Sequence, residues 1–301
     1  EAGYEVEAAH CNFQLRGEES ERDERFVREL CEQRGVRLHT VRFDTRAAAA
    51  ERHESIEMAA RRLRYEWFDA LRRERKLDYV AVAHHRDDNI ETFLLNLLRG
   101  AGIHGLTGMR SERDGVVRPL LETTREEILQ FLESEGQPFV TDSTNADTLF
   151  RRNKIRHELL PLLRTINPSA DATIAETVRR LSDAERLFDY AVSALSKQVM
   201  RCGGDVLKID LAALQRTPAP NLLLFELLSP YGFNGTEVDE ILSARAGGCW
   251  QTAAHLATRT GTAVEVAPMP QPVPETALPF EGCLSLPGDR VLRVERLPRE
   301  R

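Results

Sequence analysis

Apolar positions along the first hundred residues switch repeatedly between a period of two and a helical period. Val6-Glu7-Ala8-Ala9-His10 reads as a short strand, followed by a polar loop. Ser20 with Asp23 three residues on has the form of a helix N-cap with an acidic partner. The helix it opens runs through Phe26, Val27, Leu30 and Cys31 and stops at Gly35. Leu38 to Phe43 alternates as a second strand. From about Glu54 to Lys76, Ile56, Ala59, Leu63, Trp67 and Leu71 fall at helical spacing. Tyr79-Val80-Ala81-Val82-Ala83 is a third strand, and a further helix opens at Asp88. Strand and helix in alternation predict an α/β fold, a parallel sheet wrapped by helices.

Past Gly100 the pattern turns glycine-rich, with Gly100, Gly102, Gly105 and Gly108 around His104. Arg118-Pro119-Leu120-Leu121 leads to a capped helix, Thr124–Glu135, which Gly136-Gln137-Pro138 ends; Asp142 to Asn145 makes a turn. Asn167-Pro168 reads as a hinge. A strongly helical stretch follows from Asp171 to Val199, with Ile174, Val178, Leu181, Ala184, Leu187 and Phe188 on one face. The pattern thus predicts an α/β domain over 1–167 and a smaller, mainly helical domain over 168–267, closed by Gly247-Gly248 and strand-like Ala263–Val266. Pro268, Pro270, Pro272 and Pro274 read as an extended linker, so 268–301 is linker plus the start of a truncated carboxyl-terminal domain.

Composition narrows the function classes. In 301 residues, 42% are hydrophobic and no run approaches the ~20 apolar residues of a membrane span, so the chain reads as cytoplasmic, with no membrane partner. The five cysteines are scattered and never form C-x-x-C, which excludes a zinc knuckle, an iron–sulfur centre and a disulfide framework. A net charge of -7 disfavours nucleic acid on its face, yet the basic residues cluster. One group is Arg61, Arg62, Arg64, Arg72, Arg73, Arg75 and Lys76; another is Arg151, Arg152, Lys154 and Arg156. Arg62 and the 72–76 end read best as solvated helix surface, and 151–156 as phosphate-contacting.

The chemistry concentrates in His84-His85-Arg86-Asp87-Asp88-Asn89-Ile90-Glu91-Thr92, at a strand's carboxyl end and a helix's start. Open α/β sheets hold ligands there. Carboxylates can take a metal on a nucleotide's phosphates, and imidazoles can move protons. Acids placed only for capping and the helix dipole are the plain alternative.

Several motifs in one order resemble the tRNA(Ile)-lysidine synthases, in the PP-loop group of ATP pyrophosphatases. They are Leu15-Arg16-Gly17-x-Glu19-Ser20, Glu57-x-x-Ala60-Arg61-x-x-Arg64-Tyr65, and Ala83-His84-His85-x-Asp87-Asp88-x-x-Glu91-Thr92 running on to Gly108-Met109. Arg118-Pro119-Leu120-Leu121 and Asp142-x-x-Asn145-x-Asp147 with Arg151-x-Asn153-x-Ile155-Arg156 complete the set. Asn89 stands where the family commonly has glutamine, and Phe13 where many members have histidine. The family's S-G-G-x-D-S phosphate loop is not found, so the resemblance implies that a βα unit of roughly 30 residues precedes Glu1.

The resemblance implies a Rossmann-type, adenine nucleotide α-hydrolase-like fold and a ligase that joins L-lysine to carbon 2 of the wobble cytidine in a CAU-anticodon isoleucine tRNA. ATP adenylates the base, and lysine then displaces AMP. His84, His85, Asp87, Asp88 and Glu91 are the implied catalytic group, with Asp87 and Asp88 holding magnesium (Mg2+) or the lysine ammonium. Arg99, Gly100, Gly102 and Arg118 are implied nucleotide contacts, Arg118 being otherwise an ordinary surface arginine. Arg16, Arg61, Arg64, Asp142, Asn145, Arg151, Asn153 and Arg156 are implied tRNA contacts, with Asn145 equally readable as a turn residue. A homodimer is compatible with the sequence, which does not fix the assembly. The rivals are a tRNA thiolase of the same group, for which Cys11 is the nearest thiol, and a non-catalytic RNA-binding relic of the fold.

Overall fold

The computed structural model describes residues 3–141, 151–269, 282–286 and 290–294. The chain forms two compact units, Glu1–Glu185 and Arg186–Arg301.

In the first unit, β1 (Glu7–Asn12) and β2 (Arg37–Arg42) pair in parallel, with α1 (Glu18–Arg34) as the crossover. Helix α1 opens three residues earlier than expected. Gly17 is its N-cap, and Ser20 instead accepts the Arg16 backbone N–H at 3.3 Å from inside the first turn. Gly35 ends it in the left-handed region, as its position predicts. An unanticipated short helix, α2 (Thr45–Glu51), is capped by Asp44, which accepts the Ala47 N–H at 3.0 Å. Then α3 (Ile56–Arg75) starts at Ser55, whose hydroxyl accepts from Met58.

The third strand is shorter than its apolar run: β3 spans Val80–Ala81. It lies parallel to β5 (Val116–Val117), which pairs antiparallel with β4 (Glu112–Arg113). Among the described residues the strands pair as β1-β2 and β3-β5-β4, with β4 the antiparallel edge. Helices α4 (Arg86–Leu98), α5 (Ile103–Leu106), α6 (Arg125–Ser134), α7 (Arg151–Lys154) and α8 (Leu160–Ile166) follow, and α9 (Ala170–Val199) runs 30 residues. Between α7 and α8 the helix widens into a π turn, Ile155–Leu159, where the Leu160 N–H reaches the Ile155 carbonyl. Ile90, Phe93 and Leu94 of α4 pack with Ile155, Leu160 and Val178 into one core cluster. Each such side chain stabilises the fold by roughly 1.5–3 kcal/mol on burial. That packing fixes the direction of α4, and with it the site at its start.

A polar knot anchors β1 to α1 and β2. Glu24, its side chain 4% exposed, accepts from Asn12 at 2.9 Å, Arg28 at 2.8 Å and Arg42 at 3.1 Å. Those donors, Asn12 foremost, hold its pKa down to about 2 against the opposing pull of burial. Because the folded pKa lies below the unfolded one, the stabilisation is complete above the ordinary value of 4.5 and is lost as pH falls from there toward 2. Acid unfolding followed by circular dichroism should fall in that window, and Glu24→Gln should make the loss shallower. An acid limb unchanged in that variant would refute the linkage.

The second unit departs from the mainly helical expectation. Its helices are α10 (Leu211–Gln215), α11 (Pro220–Leu228) and α12 (Gly235–Ser243). They pack on a five-stranded antiparallel sheet of order β6-β7-β10-β9-β8: Met200–Gly203, Val206–Asp210, Ala263–Pro268, His255–Arg259 and Cys249–Gln251. Leu207 and Ile209 alternate inward from β7 to meet Leu214, Leu224, Leu228 and Ile241. Pro268 is the last residue of β10, paired with His255, and not the first of a linker. The reading of 270–274 lies outside the described residues. A last hairpin joins β11 (Gly282–Leu286) to β12 (Arg290–Val294).

Candidate active site

Helix α4 begins where β3 ends, and its first turn is built from its own acids. His85 is the N-cap in extended backbone, and its N–H is accepted by Asp88 Oδ2 at 3.0 Å. Asp87 Oδ2 accepts the Arg125 N–H of α6 at 2.9 Å, while the Arg86 N–H reaches the Thr123 carbonyl. Together these tie the α4 start to the α6 start. The Asp87 pKa is drawn down to about 2, chiefly by the His85 ring and next by the Arg125 N–H. At 3.5 Å the His85 Nδ1 approach is an ion-pair contact rather than a well-made hydrogen bond. The capping reading of these acids is thus true of their geometry, and it leaves Asp87 charged at neutral pH.

One turn later Glu91 is completely buried. It accepts from Arg152 Nε and from Arg156 Nε, each at 2.6 Å, and from Arg156 Nη2 at 3.1 Å. Arg152 Nη2 also donates to Asp88 Oδ1 at 3.0 Å. A carboxylate shielded from solvent needs such partners, since an unpaired buried charge costs several kcal/mol. Glu91 is therefore the anchor for α7 and not an open ligand. Arg152 carries as much of this network as Arg156, although the sequence places it only within the phosphate-contacting 151–156 group and does not single it out. Its four-residue spacing from Arg156, one helical turn, was the available signal.

His84 is the remaining piece. Its Nδ1 is buried and accepts or donates no hydrogen bond among the described residues. Burial lowers its pKa, Asp88 opposes that, and Arg118, Arg152 and Arg61 reinforce it. A half-buried imidazole in this setting is neutral at physiological pH and can take up a proton. Arg118 donates Nη1 to the Arg110 carbonyl at 2.8 Å, and its buried Nε has no partner among the described residues.

Other expected residues fall in separate places. Arg61 lies over the Tyr65 ring and Arg64 over Phe13, each at 5.0 Å. Arg16 pairs with Asp23 at 2.9 Å in the loop before α1. Asn153 is buried within α7, and Arg151 is exposed. Arg99, Gly100 and Gly102 sit at the far end of the 13-residue α4, about 20 Å from Asp87 at 1.5 Å per residue, and are not brought to the cluster. Asp142 and Asn145 lie outside the described residues. Asn89, the residue at a commonly glutamine position, accepts the Met109 N–H at 2.6 Å. A Cβ on Gly108 would come within 2.2 Å of that same Asn89 oxygen, so the amide and the glycine are matched. Burial raises the Cys11 thiol to about 11, which keeps it protonated and inert as a nucleophile.

Parallel strands wrapped by helices, with carboxylates and an imidazole at a strand–helix junction, define an α/β class that holds its ligand at that junction. Residues 1–163 match the PP-loop domain, and the chain belongs to that family. Residues 202–259 match the TilS substrate binding domain. The chain is 49% identical over 82% of its length to a tRNA(Ile)-lysidine synthase of Bacteroides thetaiotaomicron, covering 57% of that protein. It is 45% identical over 89% of its length to one from Porphyromonas gingivalis, covering 59% of it, and 40% identical over 70% to one from Geobacter sulfurreducens, covering 45% of it. The chain thus spans about half the length of the curated relatives it matches.

Proposed function

We propose that this protein carries the catalytic site of a tRNA(Ile)-lysidine synthase, a ligase that forms a carbon–nitrogen bond. In this reading the cytidine carbonyl oxygen attacks the α-phosphorus of ATP and pyrophosphate leaves. The lysine ε-amine then attacks carbon 2 of the adenylated base and AMP departs. The modified CAU-anticodon isoleucine tRNA then reads AUA. The likeness to synthases over four-fifths of the chain supports the reaction class. The observation that carries the local assignment is His84, a neutral imidazole with an unpartnered Nδ1 beside Asp88.

Each residue has a task in that scheme. The lysine ammonium must lose a proton before attack, and His84 accepts it. Asp87 and Asp88, at the helix start, hold the ammonium. Arg118 and Arg61 offset the negative charge of the phosphoryl group. Magnesium, where bound, neutralises phosphate charge and is ordinarily held by one or two carboxylates and the phosphates themselves. Asp88 spends both oxygens, one on Arg152 and one on the His85 N–H. Asp87, 28% exposed, has both of its contacts on Oδ2. The residues therefore fit a metal at Asp87 and not a two-aspartate clamp.

The test supplies ATP, the isoleucine tRNA and radiolabelled lysine to the full-length protein and measures label fixed to RNA. Lysine incorporation with release of pyrophosphate is expected; sulfur transfer in its place would sink the reading. The rate should hold through neutral pH and fall only below the ordinary histidine value of 6.5, because a lowered pKa keeps the base form populated further into acid. An acid limb above 6.5 would refute His84 as the proton acceptor.

A further inference from the structure

A cleft of about 600 Å³ opens between α3 and the β3-β5-β4 sheet. Its walls carry Arg72 and Arg73 from α3, Arg113 from β4, Arg118 from the segment after β5, and the rings of Tyr65 and Phe68. Arg61, which also lines it, lies over the Tyr65 ring. Five arginines face two aspartates: Asp69 pairs with Arg72 at 3.0 Å and Arg73 at 2.7 Å, and Asp114 with Arg113 at 3.2 Å, so the cleft keeps a positive excess in a chain whose net charge is -7. Such segregation of one sign marks a surface for an anion.

Three features give the cleft its shape. Arg72 is held by Asp69 at 3.0 Å, and its guanidinium lies against Gly115. That residue has φ +76°, and a Cβ there would stand 3.2 Å from Arg72 Cζ, so only glycine lets the arginine lie flat on the turn. Tyr65 and Phe68 meet edge to face at 6.3 Å and form an aromatic wall. The buried Nε of Arg118 has no acceptor among the described residues and needs one.

We propose that this cleft is a binding groove for the backbone of a single-stranded RNA segment, alongside the reaction centre. Arginines grip phosphates and the Tyr65–Phe68 wall supports a base, the combination that binds unpaired RNA. Arg73 and Arg113, with side chains 74% and 71% exposed, extend the cationic surface past the cleft rim. An enclosed site for a free nucleotide would not place its cations so. Arg61 and Arg118 reach both the cleft and the field of His84, so a strand lying here leads toward the imidazole. The proposal rests on the RNA substrate proposed above, and it assigns the 72–73 end of α3 a role that a solvated helix face lacks.

Filter binding of labelled isoleucine tRNA to the protein between 50 and 200 mM salt tests it, with Arg73→Glu/Arg113→Glu as the variant. Both side chains are exposed, so circular dichroism should match the unaltered protein. The tRNA Kd should rise about tenfold or more, and the log Kd–log salt slope should become shallower by about two, one per lost phosphate contact. An unchanged Kd and slope would overturn the groove, and so would a loss confined to ATP affinity. If the groove variant weakens RNA binding while the unaltered protein fixes no lysine, the groove stands and the lysidine reading falls.

Discussion

Asp88→Asn is expected to lower lysidine formation by about 10³-fold while tRNA affinity stays within about twofold, and Asp87→Asn to behave likewise. The asparagine at 88 keeps the shape and can still accept the His85 N–H, so the start of α4 should persist. It removes the negative charge that faces His84 and that is assigned to the lysine ammonium. Single-turnover lysine transfer and tRNA filter binding, run on the same preparations, separate the two effects. Full turnover in both variants would remove the aspartates from the reaction. Equal losses in turnover and RNA affinity would make them scaffold alone.

The second large effect concerns stability. Glu91→Ala should cost roughly 3–5 kcal/mol, because it strands two guanidinium groups around a buried site. For a unit of this size that corresponds to a fall of about 6–20 °C in Tm, read by calorimetry. Glu91→Gln should lie between, since its amide oxygen keeps one acceptor and loses the charge. A loss below about 1 kcal/mol for the alanine variant would show that the network is not buried in solution. The pair of experiments distinguishes the roles within one motif: two carboxylates assigned to chemistry, and a third, one turn on, that holds the neighbouring helix.

Much of this arrangement was legible before any coordinates. Helix α9 was read to within a residue, because thirty residues of apolar periodicity leave little choice. The cap at Gly35 and the capped helix after Thr124 followed from local chemistry. The sheet of the second unit was missed for a physical reason. Met200-Arg201-Cys202-Gly203 and Cys249-Trp250-Gln251 are too short to announce strands by alternation, although each pairs with the next strand in sequence across a tight turn. The Ser20 cap failed because Gly17, with positive φ, opened the helix first. At the site, sequence order could not tell that Arg152 would bridge Asp88 and Glu91, or that Glu91 would be completely buried.

The widened turn at Ile155–Leu159 has a bearing on which length changes this region tolerates. Ile155 and Leu160, five apart, are both buried, at 4% and 3% exposure, while Arg152 and Arg156, four apart, both reach Glu91. In a regular α-helix, residues five apart diverge by about 140°. A one-residue deletion here would restore ordinary helical winding and swing either the apolar pair or the arginine pair off its target. Homologous chains should therefore align through this stretch without gaps, even where the flanking loops vary in length.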